Sequence, residues 1–270
     1  MRRARVGRAL ARPPRTAGQR VRLMMLAAAI GALAAVPLRA QPVAPRALPA
    51  LGLSAALPTA ADLSRPFPDT LPARIRTADT RTAEGSQTAD ASRMTELVTC
   101  RDWLAQRRSV VGSDSDASWR VLRLQVVPCE AMALLAAATP APHSALPVRF
   151  AQELLTARYP AGLWLAPSRD EQARLARPGS TLATASGKSR WQGVGPDGLK
   201  LNAKGWRLQM TLLARGDFDH DGWEDAAFLW QAASDQGSLT DARLVVLTRQ
   251  AGSSALVELP VDGLLTAPGR

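Results

Sequence analysis

The chain has 270 residues and a formal net charge of +11. That excess sits at one end: residues 1–40 hold nine Arg and no acid, residues 41–92 hold five Arg against five acids, and residues 93–270 hold 20 basic and 18 acidic residues. A near-neutral body carries no electrostatic footprint for a phosphate backbone, so the basic composition does not argue for nucleic-acid binding.

Eight arginines lie within residues 1–22, followed by an uncharged apolar run from Leu23 to Val36, then Pro37 and the small Ala40. This is the order of charged region, apolar region and cleavage site in a secretory signal peptide. The run of 14 residues is shorter than the roughly 18–20 of a spanning helix. Residues 1–40 are therefore expected to direct export to the periplasm or the medium, leaving no transmembrane span after cleavage. A retained signal anchor is the alternative. No Cys sits just after the apolar run, so a lipid anchor is not expected there.

Residues 41–92 are rich in Pro, Ala and Thr, and ten of the twenty Pro fall within the first 72 residues. Leu48, Leu51, Leu57 and Leu63 occur without sustained period. Such a segment buries little apolar surface against its chain entropy, and a disordered tether is expected. All seven Trp lie between Trp103 and Trp230, which places the folded domain over residues 93–270.

Within the domain, Ser92 reads as a helix cap, and Met94, Leu97, Val98, Arg101 and Leu104 follow helical spacing. Gly112–Asp116 is a run of turn formers. Leu122, Leu124 and Val126 alternate with Arg123 and Gln125, which predicts a strand over Trp119–Val127 ended by Pro128. A second helix is expected over Cys129–Ala138 and a third over residues 148–158, with Phe150, Leu154 and Leu155 inward. Ser168–Arg177 has the cap, acidic first turn and basic end of a surface helix. Cys100 and Cys129 are the only cysteines, so one intramolecular pairing exists, and export makes a disulfide the expected outcome.

From Gly187 onward glycines punctuate runs of strand texture. Trp206, Leu208, Met210 and Leu212 alternate with Arg207, Gln209 and Thr211; Ala226–Trp230 is apolar on both sides, as a central strand would be. Ala242–Arg249 and Ala255–Val261 complete four strands in series. The expected fold is α+β, a helical N-terminal part followed by an antiparallel sheet.

Between the first two of these strands lies Gly216-Asp217-Phe218-Asp219-His220-Asp221-Gly222-Trp223-Glu224-Asp225. Asp217, Asp219, Asp221 and Asp225 can wrap carboxylates around one centre, Gly222 permits the bend, and the Trp223 carbonyl can add an oxygen. Hard oxygen ligands in this number suit Ca²⁺, which takes six to eight at about 2.3–2.6 Å. An EF-hand is excluded, because its twelfth position would be Phe228 where a bidentate Glu is required. The stretch from Leu212 to Phe228 resembles the FG-GAP and VCBS type of repeat, a strand, an acidic loop and an apolar strand. That resemblance implies Asp217, Asp219, Asp221 and Asp225 as side-chain ligands of calcium. The motif occurs once, so a propeller of several such blades is not expected.

The expected function is a non-catalytic exported domain, stabilised by one calcium ion, that binds an envelope or extracellular protein or glycan. No Gly-x-Ser-x-Gly elbow, HExxH or phosphate-cradling loop appears. The alternative is a hydrolase with its active site elsewhere in the domain. Adhesion through Arg215-Gly216-Asp217 is disfavoured, because Asp217 is already assigned to metal.

Overall fold

A computed structural model of the protein describes residues 41–53, 57–66, 73–78, 92–166, 168–175, 177–187, 189–195, 197–253 and 255–265. The proposed signal peptide, residues 1–40, lies outside the described residues. In chain order the elements are β1 (Arg46–Ala47), β2 (Ala73–Ala78), β3 (Ser92–Leu97), α1 (Cys100–Gln106), β4 (Val110–Ser113), α2 (Asp116–Ala137), α3 (Arg169–Leu175) and α4 (Leu182–Ser186). Then follow β5 (Gln192–Val194), β6 (Gly198–Ala203), β7 (Trp206–Gly216), β8 (Asp225–Ser234), β9 (Thr240–Thr248), β10 (Val257–Leu259) and α5 (Val261–Leu264). Helices and antiparallel sheets are both present, as an α+β chain requires. No helix among the described residues is long and apolar enough to cross a membrane.

Strands β5 to β10 form a consecutive antiparallel meander, with β8 between β7 and β9. Beyond the end of β6, the short β1 takes the vacated side of β7, pairing Arg46 with Arg215 and Ala47 with Ala214. One face of this sheet presents Leu208, Met210, Phe228, Trp230 and Val245 to a cluster that includes Phe150, Tyr159, Trp164 and Trp191. The other presents Leu213, Ala227, Leu244 and Val246 to Val127, Ala131, Leu134 and Leu135 of α2. Burial on both faces is why β8 reads as a continuous apolar run.

The register of β7 against β8 shifts by one residue between Leu212 and Ala214. A bulge of this kind inverts the facing of everything beyond it. Leu208, Met210 and Leu212 face the aromatic cluster; Leu213 and Ala214 both face α2; Arg215 then turns back to the aromatic side, 5.8 Å from the Phe150 ring.

Several expectations are corrected. Strand β3 covers the residues expected to open the first helix, pairing Leu97 with Ala73 and Thr95 with Ile75. The helix starts at Cys100 because Thr99 and Asp102 form a reciprocal capping box, Asp102 N donating to Thr99 Oγ1 at 3.2 Å and Thr99 N to Asp102 Oδ2 at 2.8 Å. The domain therefore enters through a three-stranded sheet, ordered β3-β2-β4, and not through helices.

Trp119–Val127 is helix, not strand, and joins the expected second helix in one 22-residue α2. Leu122, Val126, Val127, Cys129, Glu130, Ala131, Leu134 and Leu135 are its buried positions, while Leu124 is 42% exposed. That is helical period; the alternation of Leu122, Leu124 and Val126 was a coincidence of composition. Ser115 caps the helix through Ser118 N, and Pro128 lies inside it. Pro128 deprives the Leu124 carbonyl of its donor, a cost of about 3 kcal/mol that the buried stripe offsets.

The expected helix over 148–158 is two 3-10 turns, Phe150–Gln152 and Thr156–Arg158, and Leu155 is exposed. Phe150 is fixed edge-on against Phe228, with ring centroids 4.9 Å apart.

The tether is also corrected where it is described. Val43 exchanges backbone hydrogen bonds with Ala141 at 2.7 and 2.9 Å, β1 pairs with β7, and Leu51, Leu63 and Ile75 are buried. Each apolar residue fills a site on a surface built by later elements. No periodicity is needed for that, so none was visible.

The Cys100–Cys129 disulfide is present, with Cα atoms 5.2 Å apart. It ties the start of α1 to the second half of α2 within a cluster of Ile75, Leu97, Trp103, Leu122 and Val126.

Candidate metal centre

Strand β7 ends at Gly216 and β8 begins at Asp225, its register partner, so the acidic loop closes the hairpin between two buried strands. A Cβ on Gly216 would lie 3.1 Å from Ala138 Cβ and 3.2 Å from the Phe218 ring, which keeps that position small. His220 and Gly222 take left-handed conformations, with φ of 64° and 88°. Two such residues within three turn the chain back on itself.

A second segment holds the loop from outside. Thr139 and Asp217 exchange backbone hydrogen bonds at 3.2 and 3.3 Å, His143 N donates to Gly222 O at 3.1 Å, and Glu224 N donates to His143 O at 2.9 Å. The His143 ring lies against Trp223 with centroids 5.0 Å apart, and the Ser144 hydroxyl donates to Glu224 Oε2 at 2.6 Å. His220 is exposed, as expected of an even position in the loop, and its Nδ1 is 3.2 Å from Thr139 Oγ1.

The aspartates hold the loop with some of their oxygens and leave others free. Asp217 Oδ2 accepts from Gly222 N at 3.0 Å and from Thr139 Oγ1 at 3.3 Å. Asp225 Oδ2 accepts from Phe218 N at 2.9 Å, and Asp219 Oδ1 from Asp221 N at 3.2 Å. Asp217 Oδ1 and Asp225 Oδ1 are buried without any hydrogen-bond donor, in residues 3% and 0% exposed. The buried Thr248 hydroxyl acts on Asp225 to lower its carboxyl but falls short of hydrogen-bond geometry to it.

Asp217, Asp219 and Asp225 bring ligand oxygens within 4.8 Å of one another, and the three could hold a metal ion. Burial pushes the Asp225 carboxyl up to about 7, and the charges of Asp219 and Asp221 add to the rise. Burial also raises Asp219, with Asp221 and Asp217 contributing. Two unpartnered buried carboxylate oxygens cost free energy, and a cation is the group that relieves it. Oxygen-only donors suit a hard cation; zinc prefers nitrogen and sulfur.

Of the expected side-chain ligands, Asp221 lies outside this triad. Asp221 Oδ1 accepts from Trp223 N at 2.8 Å and its Oδ2 from Gln250 Nε2 at 3.3 Å, so its carboxylate holds the turn. Trp223 is placed by its contacts with His143.

Sequence reasoning missed the groups that support the loop. Arg215 and Glu224 form an ion pair, both 3% exposed, and Arg215 Nη1 also donates to the Pro147 carbonyl at 2.9 Å. This removes the Arg215-Gly216-Asp217 adhesion reading, since the guanidinium and the Asp217 carboxylate are both inside the protein. The only signal was position: Arg215 sits just before the acidic loop on β7, and Glu224 is the last loop residue before β8. Comparison with protein-family models, with curated proteins and with solved structures found no match.

Proposed function

We infer that the protein is an exported, non-catalytic domain whose β7–β8 hairpin is pinned by one calcium ion, and that it binds a protein or glycan of the cell envelope or its surroundings. The observation that carries the metal part is the pair of buried oxygens, Asp217 Oδ1 and Asp225 Oδ1, that lack any donor and belong to two of the three residues, with Asp219, whose ligand oxygens cluster. Asp217, Asp219 and Asp225 would supply the first ligands. The Trp223 carbonyl and an Asp221 carboxylate released from its turn would complete a sphere of the size calcium prefers. The resemblance of Leu212–Phe228 to FG-GAP and VCBS repeats supports the same ion. Ligands drawn from one contiguous loop between strands favour a structural role, because such a cage leaves little room for an activated water or substrate.

The test is thermal unfolding of the chelator-treated full chain, with and without millimolar Ca²⁺. Ligand linkage predicts a rise of the melting temperature that Asp219→Ala abolishes and Mg²⁺ at equal concentration fails to match. An unchanged melting temperature, or an equal rise in the variant, overturns the metal reading. Export is tested separately by fractionating cells that make the full chain.

A further inference from the structure

Helix α2 covers only part of the sheet. Its second half is sealed onto β7, β8 and β9 through Val127, Ala131 and Leu134. Its first half stands off the far part of the same face and leaves a cleft of about 340 Å³, within the size range of small-ligand sites.

The floor of that cleft is one rung of the sheet. Register places Lys200 opposite Gln209, Gln209 opposite Gln231, and Gln231 opposite Ala242, so these side chains share a face across four strands. The next rung adds Arg207. From the roof come Trp119, Arg120, Arg123 and Leu124.

Four cations thus line the cleft against a single carboxylate, Asp241. Arg123 approaches Asp241 at 3.8 Å and lies 5.7 Å from the Trp119 ring centre; Arg207 pairs with Asp235 at the exposed rim. Among the described residues, Arg120, Lys200, Gln209 and Gln231 make no side-chain hydrogen bond or ion pair. Their donors converge on one space without a partner from the protein.

We propose that the cleft between the first half of α2 and the Lys200–Gln209–Gln231 rung binds a carboxylated sugar, free or as a unit of an acidic polysaccharide. The cations match the carboxylate. Each glutamine amide offers both donors and an acceptor, which is what paired hydroxyls require. Trp119 and Leu124 give an apolar wall for a sugar ring. An acidic peptide fits less well, because Lys200, Gln209 and Gln231 on the cleft floor lie on strands paired on both sides, whose backbone groups are taken up by the ladder. The proposal names the ligand class for the binding role inferred above and rests on that reading.

The experiment is calorimetric titration of the calcium-supplemented full chain with oligogalacturonate, with a neutral glucan and poly-glutamate as comparisons. Binding is expected for the uronate alone, weakening with added salt. Arg120→Glu and Lys200→Glu should each raise Kd by about tenfold or more, as the loss of a charged hydrogen bond does. The charge-matched Arg177→Glu, outside the lining of the cleft, should leave Kd unchanged. Absence of uronate binding, equal binding of poly-glutamate or neutral glucan, or indifference to both cleft variants overturns the proposal. Melting temperatures with and without Ca²⁺, taken on the same samples, separate this failure from failure of the metal reading.

Discussion

Arg215, near the end of β7, grips Glu224, the residue just before β8, with two parallel hydrogen bonds, Nε to Oε1 at 2.9 Å and Nη2 to Oε2 at 2.8 Å. Both side chains are 3% exposed. Strand β7 reaches this arrangement only because its bulge turns Arg215 onto the aromatic face, and Glu224 is held by Ser144 from the clamping segment. The pair thus joins the hairpin, the clamp and the Phe150 cluster at one point. Removing one partner leaves an uncompensated buried charge, so Glu224→Gln or Arg215→Ala should destabilise the fold by about 3–5 kcal/mol. Replacing both by apolar residues of similar volume should cost far less. Urea unfolding of the two single variants and the double variant checks this, and a double variant as unstable as the sum of the singles contradicts it.

The orphaned oxygens of the triad make a prediction of opposite sign in two conditions. Asp225→Asn keeps an oxygen for Phe218 N while removing a buried negative charge that the metal-free fold leaves uncompensated. Without calcium the variant should melt at or above the temperature of the unsubstituted chain. With calcium it should melt below it, because one ligand charge is lost. Parallel melting curves with chelator and with Ca²⁺ read both signs, and a variant less stable in both conditions counts against the triad as a cation site.

The second half of the chain was legible because its strands repeat a two-residue period and β8 is apolar from Ala226 to Trp230, both direct consequences of how many faces are buried. The loop was legible because its ligands are contiguous. Helix α2 was misread where Leu122, Leu124 and Val126 satisfy strand alternation as well as Leu122 and Val126 satisfy helical spacing. Only the neighbours Val127, Glu130 and Leu134 break the tie. The start of α1 was misplaced at Ser92, and the capping-box spacing of Thr99 and Asp102 is the signal that marks it. The roles of Val43, Leu51 and Leu63 were not legible, since they bury themselves one at a time against surfaces distant in sequence. The clamp of Thr139 and His143 on the loop leaves no local pattern for the same reason.

The disulfide closes a loop spanning 29 residues of separation and anchors α1 on α2. Cys100→Ala with Cys129→Ala should cost roughly 3–4 kcal/mol in the chain-entropy model. Denaturant midpoints measured for this double variant against the oxidised chain give the value. A loss confined to the smaller sheet and α1, seen as fast amide exchange there with the β7–β9 amides still protected, would show that the bridge stabilises that unit in particular.

Glu130 supplies the last prediction. It is buried on α2, accepts from Trp103 Nε1 at 3.0 Å, and has Arg123, Arg107 and Asp262 as its charged neighbours. Burial raises its carboxyl above the ordinary 4.5; Trp103 and the two arginines oppose that rise, and Asp262 adds to it. A raised folded-state value means that the folded protein binds this proton more tightly than the unfolded chain. The stabilisation is therefore fully present below the unfolded value and is lost as pH rises through the folded one. Glu130→Gln keeps an acceptor for Trp103 and removes the titration. Its stability should exceed that of the unsubstituted chain at neutral pH, and the gap should close on acidification toward pH 4.5. Urea midpoints of both chains across that window measure it, and a gap that widens in acid would mean that Glu130 is held charged by Arg107 and Arg123.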